Sequence, residues 1–160
     1  MSKIYSLSEL KNIIEEKKRK GKKIVLANGC FDLIHVGHIR YLKEAKNKGD
    51  ILVVALNSDN SVRKLKGHGR PLLTERERVE IISSFYFVDF VTIFEETDVS
   101  KVIKTLKPDI HAKGSDYTPE TVPEREFVKN YGGRIEITGG PKVKSTSEII
   151  KEIKIKFSDD

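Results

Sequence analysis

The run Asn28-Gly-Cys-Phe-Asp-Leu-Ile-His35-Val-Gly37-His38 holds the residues best suited to chemistry in this 160-residue chain. Two histidines three positions apart at the start of a helix project on one side. The free N–H groups of such a helix end favour an anion beside them. Gly37 would let a phosphate touch the backbone, and Gly29 would do the same one turn earlier. The helix dipole should hold both imidazoles largely neutral when the site is empty, and bound phosphates would favour the imidazolium. Cys30 reads as an inert small residue, because no base stands at triad-like spacing. Asp32 either orders the loop or helps with a metal. The plain alternative for His35 and His38 is a pair of surface histidines beside a helix cap.

Three further groups carry compatible chemistry. Ser145-Thr146-Ser147 puts three hydroxyls at a helix start, although Ser145 with Glu148 also spells a capping box that needs no ligand. Lys113-Gly114-Ser-Asp116-Tyr117 follows a strand and reads either as nucleotide border or as turn residues. Arg63-Lys64-Leu-Lys66-Gly-His-Gly-Arg70 is cationic and glycine-containing. It is either a solvated charge run or a mobile loop that closes over a triphosphate and brings Lys66 onto the transferring phosphate.

The elements that must position these groups alternate regularly. Ser6 and Glu9 form a capping box before an amphipathic helix that ends at Gly21. Strands are expected at 23–28, 51–57, 90–94, 109–112 and 134–138. Helices fall at about 37–48, from Thr74, at 99–106, near 124–130 and from Ser145. Short continuous apolar strands between helices call for a parallel sheet buried on both faces. The expected fold is therefore α/β: one doubly wound, Rossmann-like, five-stranded parallel sheet with helices on both faces. We read residues 1–160 as a single domain, an N-terminal helix over 1–21 and an α/β core over 22–157. Ligands of such sheets bind at the carboxyl ends of the strands, where the winding reverses. The clusters 28–38, 57–59, 113–117 and 139–147 all follow strands, so all should share one rim.

Bulk properties exclude little else. Thirty basic against 24 acidic residues give +6, which suits any polyanion without choosing one. No apolar run approaches a membrane span, Met1–Glu15 has no signal pattern, and a lone cysteine fits a reducing, cytoplasmic setting. One Cys and four His make zinc an unsuitable guest.

Gly29-Cys-Phe-Asp-Leu-Ile-His-Val-Gly-His38 resembles the signature of the cytidylyltransferase-like nucleotidyltransferases, usually G-[TC]-F-D-x-x-H-x-G-H. Asn57-Ser-Asp59, Arg63–Pro71, Lys113–Tyr117 and Gly132-Gly133 resemble the heptose 1-phosphate adenylyltransferase domain of bifunctional ADP-heptose synthases. The resemblance spans about Ile24 to Ile153. None of it matches a sugar-kinase domain, which implies a transferase acting alone. It implies that His35 and His38 bind the triphosphate, and that Asn28, Gly29, Cys30, Phe31, Asp32 and Gly37 border it. It also implies that Lys66, with Arg63, Lys64 and Arg70, belongs to a substrate loop, and that Arg78 helps hold phosphates. The bland reading of Arg78 is an ion pair with Glu75. Lys113, Gly114 and Asp116 would border the nucleotide. Ser145, Thr146 and Ser147 match an S-T-T phosphate motif, with Ser147 in place of Thr. Whether Lys142 or Lys144 supplies the usual upstream base stays open. Relatives of this kind are commonly dimers.

The implied reaction joins ATP to D-glycero-D-manno-heptose 1-phosphate and releases pyrophosphate. A sugar 1-phosphate is already dianionic near pH 7, so no general base is needed. The demand is for positive charge, from histidines, lysines, helix ends and Mg²⁺ bridged mainly by nucleotide phosphates. Two other readings compete: a cytidylyltransferase for glycerol 3-phosphate or another polyol or amino-alcohol phosphate, and a basic nucleic-acid-binding module. The second lacks a recognition motif.

Overall fold

Five strands, Ile24–Gly29 (β1), Ile51–Asn57 (β2), Phe90–Phe94 (β3), Ile110–Lys113 (β4) and Arg134–Ile137 (β5), form one sheet in the computed structural model, which describes residues 2–158. All pairings are parallel, in the order β3-β2-β1-β4-β5. β1 and β2 are buried almost end to end, which is why their sequences lack a polar face.

The helices are Leu7–Arg19 (α1), Val36–Asn47 (α2), Asp59–Lys66 (α3), Glu75–Ser83 (α4), Ser100–Leu106 (α5), Arg125–Asn130 (α6) and Thr146–Phe157 (α7). Alternate strand positions feed two separate apolar layers. Val25, Ala27 and Val54 meet Leu42 and Ala45 of α2 and Val79 and Ile82 of α4. Ile24, Leu26 and Val53 meet Leu10 and Ile14 of α1, Val102 and Ile103 of α5 and Val128 of α6. Each large aliphatic side chain buried this way contributes about 2 kcal/mol. The connection from β3 through α5 to β4 carries the chain past β1 and onto the other face. The winding therefore reverses between β1 and β4, and the chain after those two strands opens onto one crevice.

Expected and observed elements agree to within a residue or two, with one exception. The basic stretch 63–70 is not wholly a loop. Ser58 caps α3 by accepting from Ser61 N at 3.1 Å, and the helix holds Arg63, Lys64 and Lys66 before Gly67 ends it at φ 88°. Ser58-Asp59, a cap followed by an acidic first turn, was the available signal. The charge run obscured it.

Candidate functional site

The residues following β1 are held by one another. A Cβ on Gly29 would lie 3.2 Å from the Phe31 ring, so the glycine makes room for that ring. Phe31 itself takes a left-handed backbone, φ 50°, which costs a non-glycine residue about 1 kcal/mol or more. The twist turns its ring inward, 3% exposed, beneath His38, with ring centroids 5.3 Å apart. Gly37 serves a neighbour in the same way. Its missing Cβ would sit 2.8 Å from His35 Cε1. The space expected for a phosphate at each glycine is thus filled by an aromatic ring of the motif.

His35 is the N-cap of α2. Its Nδ1 accepts from Gly37 N at 3.1 Å, and His38 Nδ1 accepts from His35 N at 3.3 Å. Each neutral ring must then carry its proton on Nε2. The two rings lie 3.9 Å apart and both line the crevice. Backbone donors thereby fix both tautomers and leave an Nε2–H from each ring for a ligand. Burial lowers the His38 pKa to about 4, with His35 adding to the effect, and burial also lowers that of His35, against a nearby Glu148 that raises it. The expected neutrality holds, but desolvation heads its causes rather than the helix dipole.

Asp32 orders the loop before α4. Its carboxylate accepts from Arg70 Nε at 2.7 Å, Leu72 N at 2.8 Å and Leu73 N at 2.9 Å. Burial would raise its pKa, but these donors outweigh it and the net direction is down. Arg70 is therefore tied to Asp32 at the crevice edge, while Lys66 also lines the crevice. Arg63 and Lys64 do not. They flank a separate depression with Asn60 and Glu95, because α3 turns them away from the rim.

Arg78 also departs from expectation. Its side chain is fully buried and is not part of the crevice wall. Nε donates to Leu73 O, Nη1 to Cys30 O and Asn57 O at 2.8 and 2.7 Å, and Nη2 pairs with Asp59 Oδ1 at 2.8 Å. The guanidinium ties the ends of β1 and β2 together, with four of its five N–H donors engaged within the protein. Glu75, the sequence-adjacent candidate partner, instead accepts from Asp59 N.

The opposite wall comes from the end of β4, the end of β5 and the start of α7. Lys113 Nζ stands 4.4 Å from the Tyr117 ring centroid, and burial lowers its pKa against a partial counter-effect from Glu124. Gly114 has open space where a Cβ would be. Asp116 pairs with Lys142 at 3.3 Å, and Lys144 pairs with Glu152 at 2.7 Å; both lysines line the crevice. Ser145 Oγ accepts from Glu148 N, the capping arrangement, and Thr146 Oγ1 donates to Leu33 O. Among the described residues Ser147 makes no side-chain hydrogen bond, and it too faces the crevice. Cys30 lines the floor with its thiol pKa pushed up by burial, which disfavours a thiolate nucleophile.

Sequence reasoning missed Tyr41 and Thr138. Tyr41 OH donates to Ala112 O at 2.6 Å, and Thr138 Oγ1 donates to Tyr41 O at 3.1 Å. Gly139 N donates to Glu44 at 2.6 Å, so α2 anchors both β4 and β5. A tyrosine on an amphipathic helix carries no local sign of this duty. The crevice encloses about 430 Å³. Among the described residues no three His, Cys, Asp or Glu side chains gather where they could hold a metal ion. No described helix is long and apolar enough to cross a membrane.

The "Bifunctional protein HldE" of Geobacter metallireducens is 51% identical over 152 residues, covering 95% of this chain and 31% of the relative. Its counterpart in Syntrophotalea carbinolica is 47% identical over the same coverage. This chain thus spans about a third of the length of these relatives. A crystal structure of the lipopolysaccharide core biosynthesis protein from Thermoplasma volcanium is 35% identical, with a TM-score of 0.61, covering 73% of this chain and 94% of that one. Pantoate-beta-alanine ligase from Francisella tularensis, 16% identical with a TM-score of 0.63, shares the fold alone. The cytidylyltransferase-like profile matches residues 26–153, the sheet and both walls of the crevice. This chain belongs to the cytidylyltransferase-like family of nucleotidyltransferases.

Proposed function

We propose that this protein transfers the adenylyl group of ATP to D-glycero-D-manno-heptose 1-phosphate, giving ADP-heptose and pyrophosphate. The observation that carries nucleotidyl transfer is the His35–His38 pair, with both Nδ1 atoms engaged by backbone and both rings on a lysine-lined crevice. A phosphate oxygen of the sugar phosphate attacks the α-phosphorus of ATP, forming one P–O bond as the bond to the β-phosphate oxygen breaks. The electron pair leaves with pyrophosphate. The sugar phosphate needs no general base, so the protein's task is charge. His35 and His38 present N–H donors to the phosphates, and Lys66 approaches the one in transit. Lys113, Lys142 and Lys144 supply further positive charge, with the hydroxyls of Ser145, Thr146 and Ser147 beside them. Such donors need little reorganisation as charge develops, which is where their effect on rate arises. Mg²⁺ enters as part of the nucleotide substrate, carried on its phosphates.

The choice of ATP and a heptose phosphate rests on the Lys113–Tyr117 and Arg63–Pro71 segments and on relatives at about half identity. The same reading takes the chain as one catalytic domain, cytoplasmic, and paired with a second copy. Exposed Ile153, Ile155 and Phe157 on α7 are surface that a second copy would cover. The deciding experiment measures pyrophosphate release from ATP and from CTP against heptose 1-phosphate and glycerol 3-phosphate. Turnover of ATP with the heptose phosphate is expected. Turnover of CTP with glycerol phosphate alone would replace the substrate assignment, and silence with every pair would end the enzymatic one.

A further inference from the structure

His111 is out of place by its surroundings. It sits mid-strand in β4, between Leu26 of β1 and Ile135 of β5, and its side chain is fully buried. A buried imidazole in an aliphatic setting costs free energy unless both nitrogens are satisfied. Only one is. Nε2 lies 2.8 Å from Asn28 Oδ1, while Nδ1 is buried without a partner among the described residues.

This lopsided arrangement fixes the proton. A proton on Nδ1 would leave a buried N–H orphaned, the costlier and rarer defect, whereas an unpaired ring lone pair is tolerated better. The proton therefore sits on Nε2, and Asn28 Oδ1 accepts it. Burial, with Lys113 adding, holds the His111 pKa to about 3, so the ring stays neutral in any ordinary buffer. With its oxygen committed downward, the Asn28 carboxamide has only its NH₂ left to offer. That nitrogen makes no hydrogen bond to the described residues and is not among the buried unpartnered atoms, and Asn28 lines the crevice. Turning the amide over would oppose two donors at 2.8 Å and place an acceptor toward the ligand instead.

We propose that His111 is a positioning residue: its bond to Asn28 locks that carboxamide with the NH₂ toward the crevice, as a donor to an acceptor atom of the bound nucleotide. This deepens the nucleotide-site reading and rests on it. His111 never touches the ligand and acts through Asn28 alone.

The test is equilibrium binding of ATP and CTP to the full chain in four forms: wild type, His111→Leu, Asn28→Ala and the double variant. Losing one oriented donor weakens binding by about tenfold. His111→Leu should show that loss. In the Asn28→Ala background the same substitution should add nothing. His111→Gln, which keeps an amide N–H at similar reach, should bind within about threefold of wild type on the same arithmetic. Nitrogen-15 spectra of the wild type should show His111 protonated on Nε2, a readout that needs no variant to fold. An Nδ1–H tautomer overturns the inference. So does unchanged binding in His111→Leu, or an equal loss with and without Asn28. Wild-type protein that binds neither nucleotide would overturn the nucleotide-site reading itself, and this inference with it.

Discussion

The two walls of the crevice are built by different means. On the β1–α2 side the side chains are held largely by backbone: both histidine Nδ1 atoms accept N–H groups, Asp32 accepts from Leu72 and Leu73, and Arg78, buried behind the wall, donates to three carbonyls. On the side of residues 139–147 the charges are long lysines, half exposed, held only by ion pairs to Asp116 and Glu152. Backbone partners cannot move without unfolding, whereas exposed ion pairs exchange readily for a ligand's phosphates. One wall is preorganised and the other adapts. The comparison teaches that stability and geometry should reside in the first wall and adjustable charge in the second.

The largest break in that contrast is Arg78→Met. It strips three carbonyls and Asp59 of their donor in a fully buried place, so unfolding free energy should fall by about 3–5 kcal/mol. Denaturant titration measures this. A near-neutral outcome would mean that the first wall is not built around this residue.

His35→Ala and His38→Ala each should lower kcat by about 10² through lost charge stabilisation, read as pyrophosphate release. His35→Ala should in addition lose about 1 kcal/mol of stability, because His35 caps α2. An active double alanine variant would remove the catalytic role from this wall. Lys66→Ala should lower kcat about tenfold with a smaller effect on nucleotide binding, because its contact tightens in the transition state. Lys66→Arg should recover only part, a planar fork being a poor copy of a compact ammonium.

The pH dependence sharpens the same contrast. His38 and His111 are depressed in the fold to about 4 and about 3, while an unfolded histidine takes its proton near 6.5. Their contribution to stability is therefore complete above about pH 6.5 and is lost as pH falls toward 4 for His38 and toward 3 for His111. Between those limits each adds a slope of about 1.4 kcal/mol per pH unit. Urea titrations from pH 7 to 4.5 should show the decline, and His111→Leu should flatten it by less than half, because His38 and the likewise depressed His35 keep contributing. The smallest effect belongs to the adaptable wall. Lys142→Ala should change stability by less than about 1 kcal/mol, since its pair with Asp116 is exposed, while nucleotide binding weakens. An equal loss of stability in Lys142→Ala and Arg78→Met would erase the distinction between the walls.

Much of this was legible in the order of residues. Periodicity and punctuation specify the alternation of strands and helices, because continuous apolar strands and capped helices are local patterns. The motif from Gly29 to His38 is local too, and its histidines, Lys66 and the 113–117 and 142–147 segments do converge on one crevice. Three things were not local. Arg63 and Lys64 look like Lys66 in a charge run, and only the phase of α3 separates them. Arg78 reads as a surface arginine near Glu75, and only the approach of Cys30, Asn57 and Asp59 buries it. His111 reads as one more strand residue until the parallel register of β1 and β4 sets it beneath Asn28. The sequence by itself determined which residues could do chemistry and which elements carry them, since residue type and period act over a few neighbours. Tertiary structure alone decided which cations face the crevice, which serve the fold, and which way the buried amides and imidazoles present their protons. Those outcomes depend on desolvation and on partners tens of residues away, and neither is written into any local pattern.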